Sequence, residues 1–181
     1  MTRYVAFLRA INVGGHIVKM HELRALCESV PLANVSTFIA SGNVIFESRK
    51  PAAQVEAAIE RKLKSALGYE VATMVRSTSD LAGVVEHVAS RKLGPGGGVT
   101  LYVGFLKTAP AKETLRAVAA LSNDVDVLAI EGRELYWRCN KSFAESTVAG
   151  PRLGKILNGP VTVRNFNTVQ RLALRTAATI A

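Results

Sequence analysis

The sequence predicts an α+β fold made of two successive βαββαβ units, each followed by one further helix, with mostly antiparallel sheets. Three observations predict it. Apolar runs of strand length alternate with amphipathic helical stretches, the order of these elements restarts after the break Gly94-Pro95-Gly96-Gly97-Gly98, and short sequence matches recur at corresponding places in the two halves.

The first half opens with Tyr4-Val-Ala-Phe-Leu8, an apolar run of buried-strand type, followed by the loop Ile11-Asn-Val-Gly-Gly15 and a helix with Met20, Leu23, Cys27 and Val30 on one face. Val35 to Ile39 and Val44 to Phe46 read as two strands, joined at Ser41-Gly42-Asn43 because Gly and Asn tolerate positive φ. Pro51 opens a helix whose Val55, Ile59, Leu63 and Leu67 recur every four residues, and Gly68 stops it before a strand from Val71 to Val75. Leu81, Val84, Val85 and Val88 then mark a helix entered through Ser77-Thr-Ser-Asp80, a capping-box pattern.

The second half repeats that order. Val99 to Leu106 is an apolar strand and Ala109 to Leu121 a helix. Val125 to Ile130 and Leu135 to Trp137 form a hairpin turning at Gly132-Arg133. A short helix around Leu153, Ile156 and Leu157 ends at Gly159-Pro160. Val161 to Val163 is the last strand, and Val169, Leu172, Ala173 and Thr176 line the last helix. Tyr4-Val-Ala-Phe-Leu-Arg9 lies on Tyr102-Val-Gly-Phe-Leu-Lys107, and Val75-Arg76 on Val163-Arg164. The expected organisation is a first ferredoxin-like half over 1–93, a Gly/Pro linker at 94–98 and a second half over 99–181. Between the matched anchors the first half is longer by about ten residues, and the excess falls in the loop from Ile11 to Val18.

Composition narrows the function classes. The chain has 181 residues, 49% of them hydrophobic, enough for a real core. No apolar run approaches the roughly 18 residues that span a bilayer, and no signal-peptide pattern opens the chain, so it reads as a cytoplasmic protein with no membrane partner. Cys27 and Cys139 form no CxxC pair, and His16, His21 and His87 lack metal-ligand spacing, so no metal site is expected. The P-loop, the dinucleotide fingerprint and the G-x-S-x-G elbow are all missing. The residues name no cofactor, catalytic group or oligomeric state. A formal net charge of +9 favours anionic partners, either a small molecule or nucleic acid. Much of that charge is interleaved with Glu47, Glu56 and Glu60 on what a solvated helix face also explains.

In a split βαβ unit the first two strands run parallel, so the loop leaving strand one and the turn leaving strand two emerge at the same edge of the sheet. Arg9, Asn12, Gly14, Gly15, Lys19, Ser41 and Asn43 are therefore expected to be neighbours. The start of the first helix would add unpaired N–H groups and a dipole that favours an anion. Turn geometry alone also selects Gly-Gly before a helix and Ser-Gly-Asn between strands. A second polar stretch, Arg164, Asn165, Asn167 and Thr168, precedes the last helix. Asn167 or Thr168 is expected to cap that helix, and the remaining groups would serve a ligand or a lock between the halves. Arg171 and Arg175, one turn apart, would extend a basic stripe or simply snorkel from a surface helix.

Four ordered blocks carry a family resemblance: Arg9-Ala-Ile-Asn-Val-Gly-Gly15, Met20, Ser41-Gly-Asn43 with Val44 and Phe46, and Thr162-Val-Arg-Asn-Phe-Asn-Thr168. Over nearly its whole length the chain resembles the bacterial domain-of-unknown-function 1697 family. That resemblance implies tandem ferredoxin-like subdomains and brings no activity, substrate or cofactor. Ala10 stands where that family usually has Gly, and Phe166 where it often has Trp. The expected function is a binding protein for an anionic ligand such as a nucleotide, a phosphorylated metabolite or RNA. The competing expectations are an enzyme on a small anionic metabolite, and a structural or partner-binding protein with no small ligand.

Overall fold

The computed structural model describes residues 1–12, 15–39, 42–94, 98–141, 145–148 and 151–177, with backbone alone at 151 and 152. The elements run β1 (Thr2–Leu8), α1 (Met20–Glu28), β2 (Ala33–Thr37), β3 (Asn43–Ser48), α2 (Ala52–Leu67), β4 (Thr73–Ser77), α3 (Thr78–Ser90), β5 (Thr100–Leu106), α4 (Lys112–Ala119), β6 (Asp126–Glu131), β7 (Glu134–Cys139), α5 (Pro151–Leu157), β8 (Val161–Asn165) and α6 (Phe166–Ala177). Helices and two four-stranded antiparallel sheets give the expected α+β class. The chain divides into two compact units, Met1–Ala82 with Arg171–Ala181, and Gly83–Gln170. The division falls inside α3 and inside α6. It differs from a sequential split at 94–98, where residues 95–97 lie outside the described residues.

In the first unit the strand order is β2-β3-β1-β4. β1 and β2 each pair antiparallel with β3, so they run parallel to one another with β3 between them, the split βαβ arrangement. Alternation along β1 sends Tyr4, Ala6 and Leu8 into one core with Leu23 and Cys27 of α1, Val44 and Phe46 of β3, and Val55, Ile59 and Leu63 of α2. Full burial of one such Leu or Ile contributes about 1.5–3 kcal/mol. Burial also pushes the Cys27 thiol up to about 12, which keeps it protonated and inert. Pro51 caps α2, and Gly68 ends it in the left-handed region at φ +81°, as its position in the sequence suggests.

Edge strand β4 is closed by a device that the sequence does not advertise. Glu56 and Glu60 lie one turn apart on α2. The Oε1 of Glu56 accepts the Val75 N–H at 2.7 Å, and the Oε1 of Glu60 accepts the Thr73 N–H at 2.8 Å. Two carboxylates thus satisfy amides that a missing neighbouring strand would otherwise take. The capping box ahead of α3 is formed in full: the Ser77 N–H donates to Asp80 Oδ2 at 2.8 Å and the Asp80 N–H to Ser77 Oγ at 3.1 Å. β4 begins at Thr73 and runs to Ser77 instead of spanning Val71 to Val75, because Arg76 and Ser77 continue the ladder opposite Val5 and Tyr4 of β1; Arg76 is wholly buried and its Nη1 donates to the Val75 carbonyl at 3.1 Å. β2 ends at Thr37, since Ile39 turns to φ +50° and leaves extended geometry.

The second unit has strand order β6-β7-β5-β8 with matching register. Tyr102 pairs with Trp137 as Tyr4 pairs with Phe46, and Val103 opposes Arg164 as Val5 opposes Arg76. Its edge strand β6 is covered by the preceding turn. Asn123 Oδ1 accepts the Asp126 N–H at 3.0 Å while the Asn123 N–H donates to the Asp126 carbonyl, and Ser122 Oγ accepts the Leu128 N–H at 3.0 Å. Asp126, with no exposed surface, accepts the Trp137 Nε1–H on one oxygen at 2.7 Å. Its other oxygen accepts the Ser146 hydroxyl at 3.0 Å and the Thr147 N–H at 3.2 Å.

Candidate functional site

The loop leaving β1 and the turn between β2 and β3 are neighbours. The Leu8 N–H donates to the Gly42 carbonyl at 2.8 Å, and a Cβ added to Gly42 would stand 2.8 Å from Ile11 Cγ2 and 3.2 Å from Leu8 Cβ. Gly42 has φ +72°, so the turn needs glycine both for its backbone and for this close approach. Asn43 is wholly buried. Its Nδ2 donates to the Phe38 carbonyl at 3.0 Å, and its own carbonyl accepts the Phe38 N–H at 3.0 Å, so its side chain locks the turn. Ser41 and Gly14 lie outside the described residues.

The described residues of the loop between β1 and α1 are held by three contacts. Asn12 Oδ1 accepts the Val18 N–H at 2.7 Å, the Tyr69 hydroxyl donates to the Ile11 carbonyl at 3.2 Å, and the His16 ring stacks on Tyr69 with centroids 3.9 Å apart. Ile11 and Val18 anchor its two ends in the core. Arg9 donates its N–H to the Ala72 carbonyl at 2.8 Å and leaves its side chain exposed. Gly15, at φ +87°, has open space where a Cβ would stand. Lys19 caps α1 by position. Its N–H is already taken by Glu22 Oε2 at 3.1 Å, so this end of the helix offers an anion less than its sequence promises. Neither Arg9 nor Lys19 has an ion-pair partner among the described residues.

Ala10 adopts φ +56°, a conformation that glycine holds without steric cost. Ala10→Gly is therefore expected to raise stability by about 0.5–1 kcal/mol, the relief of strain exceeding the added freedom of the unfolded chain. Thermal unfolding of the variant against the parent checks it, and a lower melting temperature would count against the strained geometry.

The second polar group belongs to the other unit. Arg164 is 9% exposed, donates Nη1 to Thr162 Oγ1 at 2.7 Å and to the Val163 carbonyl at 2.9 Å, and burial pushes its guanidinium down to about 10. The cap of α6 is Asn165: its Oδ1 accepts the Asn167 N–H at 2.9 Å. This corrects the expectation that Asn167 or Thr168 caps the helix. β8 runs directly into α6, so the residue two positions before the first unpaired amide is Asn165, and Asn167 is left exposed on the first turn. Of the candidates within the described residues, Arg9, Asn12, Gly15, Lys19 and Asn43 belong to the first unit and Arg164, Asn165, Asn167 and Thr168 to the second. Tyr69 was not legible as part of the first group, because 58 residues separate it from Ile11 and no motif marks it.

A family model described as "Protein of unknown function (DUF1697)" matches residues 1–136. The chain belongs to this family. Its fold recurs in a conserved bacterial protein, SP0830 from Streptococcus pneumoniae, with a TM-score of 0.75, 24% sequence identity and coverage of 98% of this chain and 99% of that one. At that identity the likeness speaks for the fold. No curated protein matches the chain. In this DUF1697 protein the matched span includes the whole β1–α1 loop and the β2–β3 turn, while Arg164 to Thr168 lies beyond it. No described helix is long and apolar enough to cross a membrane.

Proposed function

We propose that the protein binds an anionic ligand, a nucleotide, phosphorylated metabolite or RNA, at the edge of the first unit where the β1–α1 loop meets the β2–β3 turn. The observation that carries this reading is a pair of exposed cations, Arg9 and Lys19, unpaired among the described residues and set on a loop held by Asn12, Tyr69 and His16. Loop residues held in this way before binding lose little conformational freedom when a ligand arrives. Glu22 is turned to the Lys19 N–H and, among the described residues, pairs with neither cation. The asparagines play supporting parts. Asn43 Nδ2 and the Oδ1 of Asn12 are committed to backbone groups.

A partner-binding reading has one observation in its favour. Ile17, 83% exposed, and Ile39, 43% exposed, project from the same loop and turn. The two readings separate in one experiment. The full chain is screened by thermal stability at low salt against inorganic phosphate, nucleotides, sugar phosphates and short RNAs, with the Arg9→Ala, Lys19→Ala double variant beside it. The anion reading expects stabilisation that weakens as salt rises, and an affinity about tenfold lower for each cation removed. Absence of stabilisation by every phosphate compound would overturn it in favour of the partner, and equal stabilisation of the double variant would remove the anion from this edge.

A further inference from the structure

We propose that Arg171 and Arg175 of α6 form a second phosphate-binding element on the first unit, a two-guanidinium clamp set on the ring of Phe38; the proposal rests on the reading that this protein holds an anionic ligand. Both arginines lie on the stretch of α6 that belongs to the first unit, one helical turn apart. Their guanidinium carbons stand 4.9 Å and 5.6 Å from the centroid of the same ring. Both side chains are exposed, and no carboxylate pairs with either among the described residues.

The arrangement is electrostatically incomplete. Like charges one turn apart repel, and an aromatic face attracts each cation without neutralising it. An anion bridging the two forks removes the repulsion and gains charge-assisted hydrogen bonds. Phe38 is a firm base for this, because it is 8% exposed and its N–H and carbonyl are both held by Asn43. A cation–π contact with a fixed ring restricts each guanidinium before a ligand arrives, so less freedom is lost on binding. Arg175 in the last turn also complements the helix dipole. That role does not reach Arg171, a full turn earlier. A phosphate, with several acceptor oxygens and up to two charges, matches two planar donor forks better than a single carboxylate does. Phe38 immediately precedes the β2–β3 turn, so the clamp stands at the same strand end as that turn.

The full-length protein is titrated at low salt with inorganic phosphate, and separately with a single-stranded uridine oligonucleotide, while the arginine Nε–Hε signals are followed by NMR. Phosphate is expected to move the signals of both Arg171 and Arg175, and R171Q/R175Q to bind it at least tenfold more weakly while melting like the parent. R171K/R175K, which keeps the charge and loses the forks, should fall between. Tighter binding of the oligonucleotide would assign the phosphate to a nucleic-acid strand, and equal binding to a small metabolite. Unmoved Arg171 and Arg175 signals, or unchanged affinity in R171Q/R175Q, would overturn the clamp, and the parent titration decides alone if that variant does not fold. Loss in the Arg9→Ala, Lys19→Ala variant only would leave the loop reading standing without the clamp. Loss in R171Q/R175Q only would leave the clamp without the loop, and loss in neither would remove both.

Discussion

Asp126→Ala is expected to lower stability by about 3–5 kcal/mol, the largest effect of any single substitution considered. The carboxylate is fully buried and accepts from the Trp137 indole, the Ser146 hydroxyl and the Thr147 N–H. Hydrogen bonds to a charged acceptor contribute about 1.5–3 kcal/mol each, and donors left buried without a partner add their own desolvation cost. The indole belongs to the core of the second unit, and Ser146 and Thr147 precede the buried Val148, so the loss reaches packing as well. Asp126→Asn, which keeps one acceptor oxygen, should cost less than half as much. Trp137 is the single tryptophan of the chain, so its fluorescence in a urea titration reads the change directly. A loss of less than about 1 kcal/mol in Asp126→Ala would show that the three hydrogen bonds do not hold this segment.

Gly42→Ala is expected to cost about 2–4 kcal/mol and, on the proposed anion-binding reading, to weaken phosphate binding at the same time. A left-handed residue with a side chain carries about 1–2 kcal/mol of strain, and overpacking a tight contact adds about 1–3 kcal/mol. Here the added methyl would lie 2.8 Å from Ile11 Cγ2, on the loop that carries Asn12 and leads to Lys19. Gly15→Ala supplies the control, because Gly15 has comparable φ and open space around it. It should show the strain alone, about 1–2 kcal/mol, with the turn undisturbed. Equal destabilisation by the two substitutions in a thermal melt would mean that the contact between turn and loop is unimportant.

The fold was legible because each level of the sequence agreed. The four-residue recurrence of Val55, Ile59, Leu63 and Leu67, the stop at Gly68 and the capping box at Ser77 to Asp80 all mark elements that form as read. What could not be read were interactions between residues far apart in sequence. Nothing in the α2 sequence says that Glu56 and Glu60 close the β4 edge, since carboxylates one turn apart normally mean a solvated face. The expected strand stopped at Val75, whereas the ladder with β1 carries it on through the buried Arg76 to Ser77. The loop edge was legible as a place, from topology, and illegible as a set of roles. Asn43 looked like a ligand donor and holds a turn, the α1 amide that looked open is taken by Glu22, and the Tyr69 and His16 supports carry no local signature. Cap assignment at α6 missed by two positions because strand and helix meet without a loop, which sequence periodicity does not resolve.

The most direct test of the proposed anion site is an amide-resolved NMR titration of the full chain with inorganic phosphate at low salt. The loop reading predicts shifts at Gly15, Val18 and Lys19 that saturate together and vanish in the Arg9→Ala, Lys19→Ala variant. No shift at these amides, or the same shifts in that variant, would contradict it.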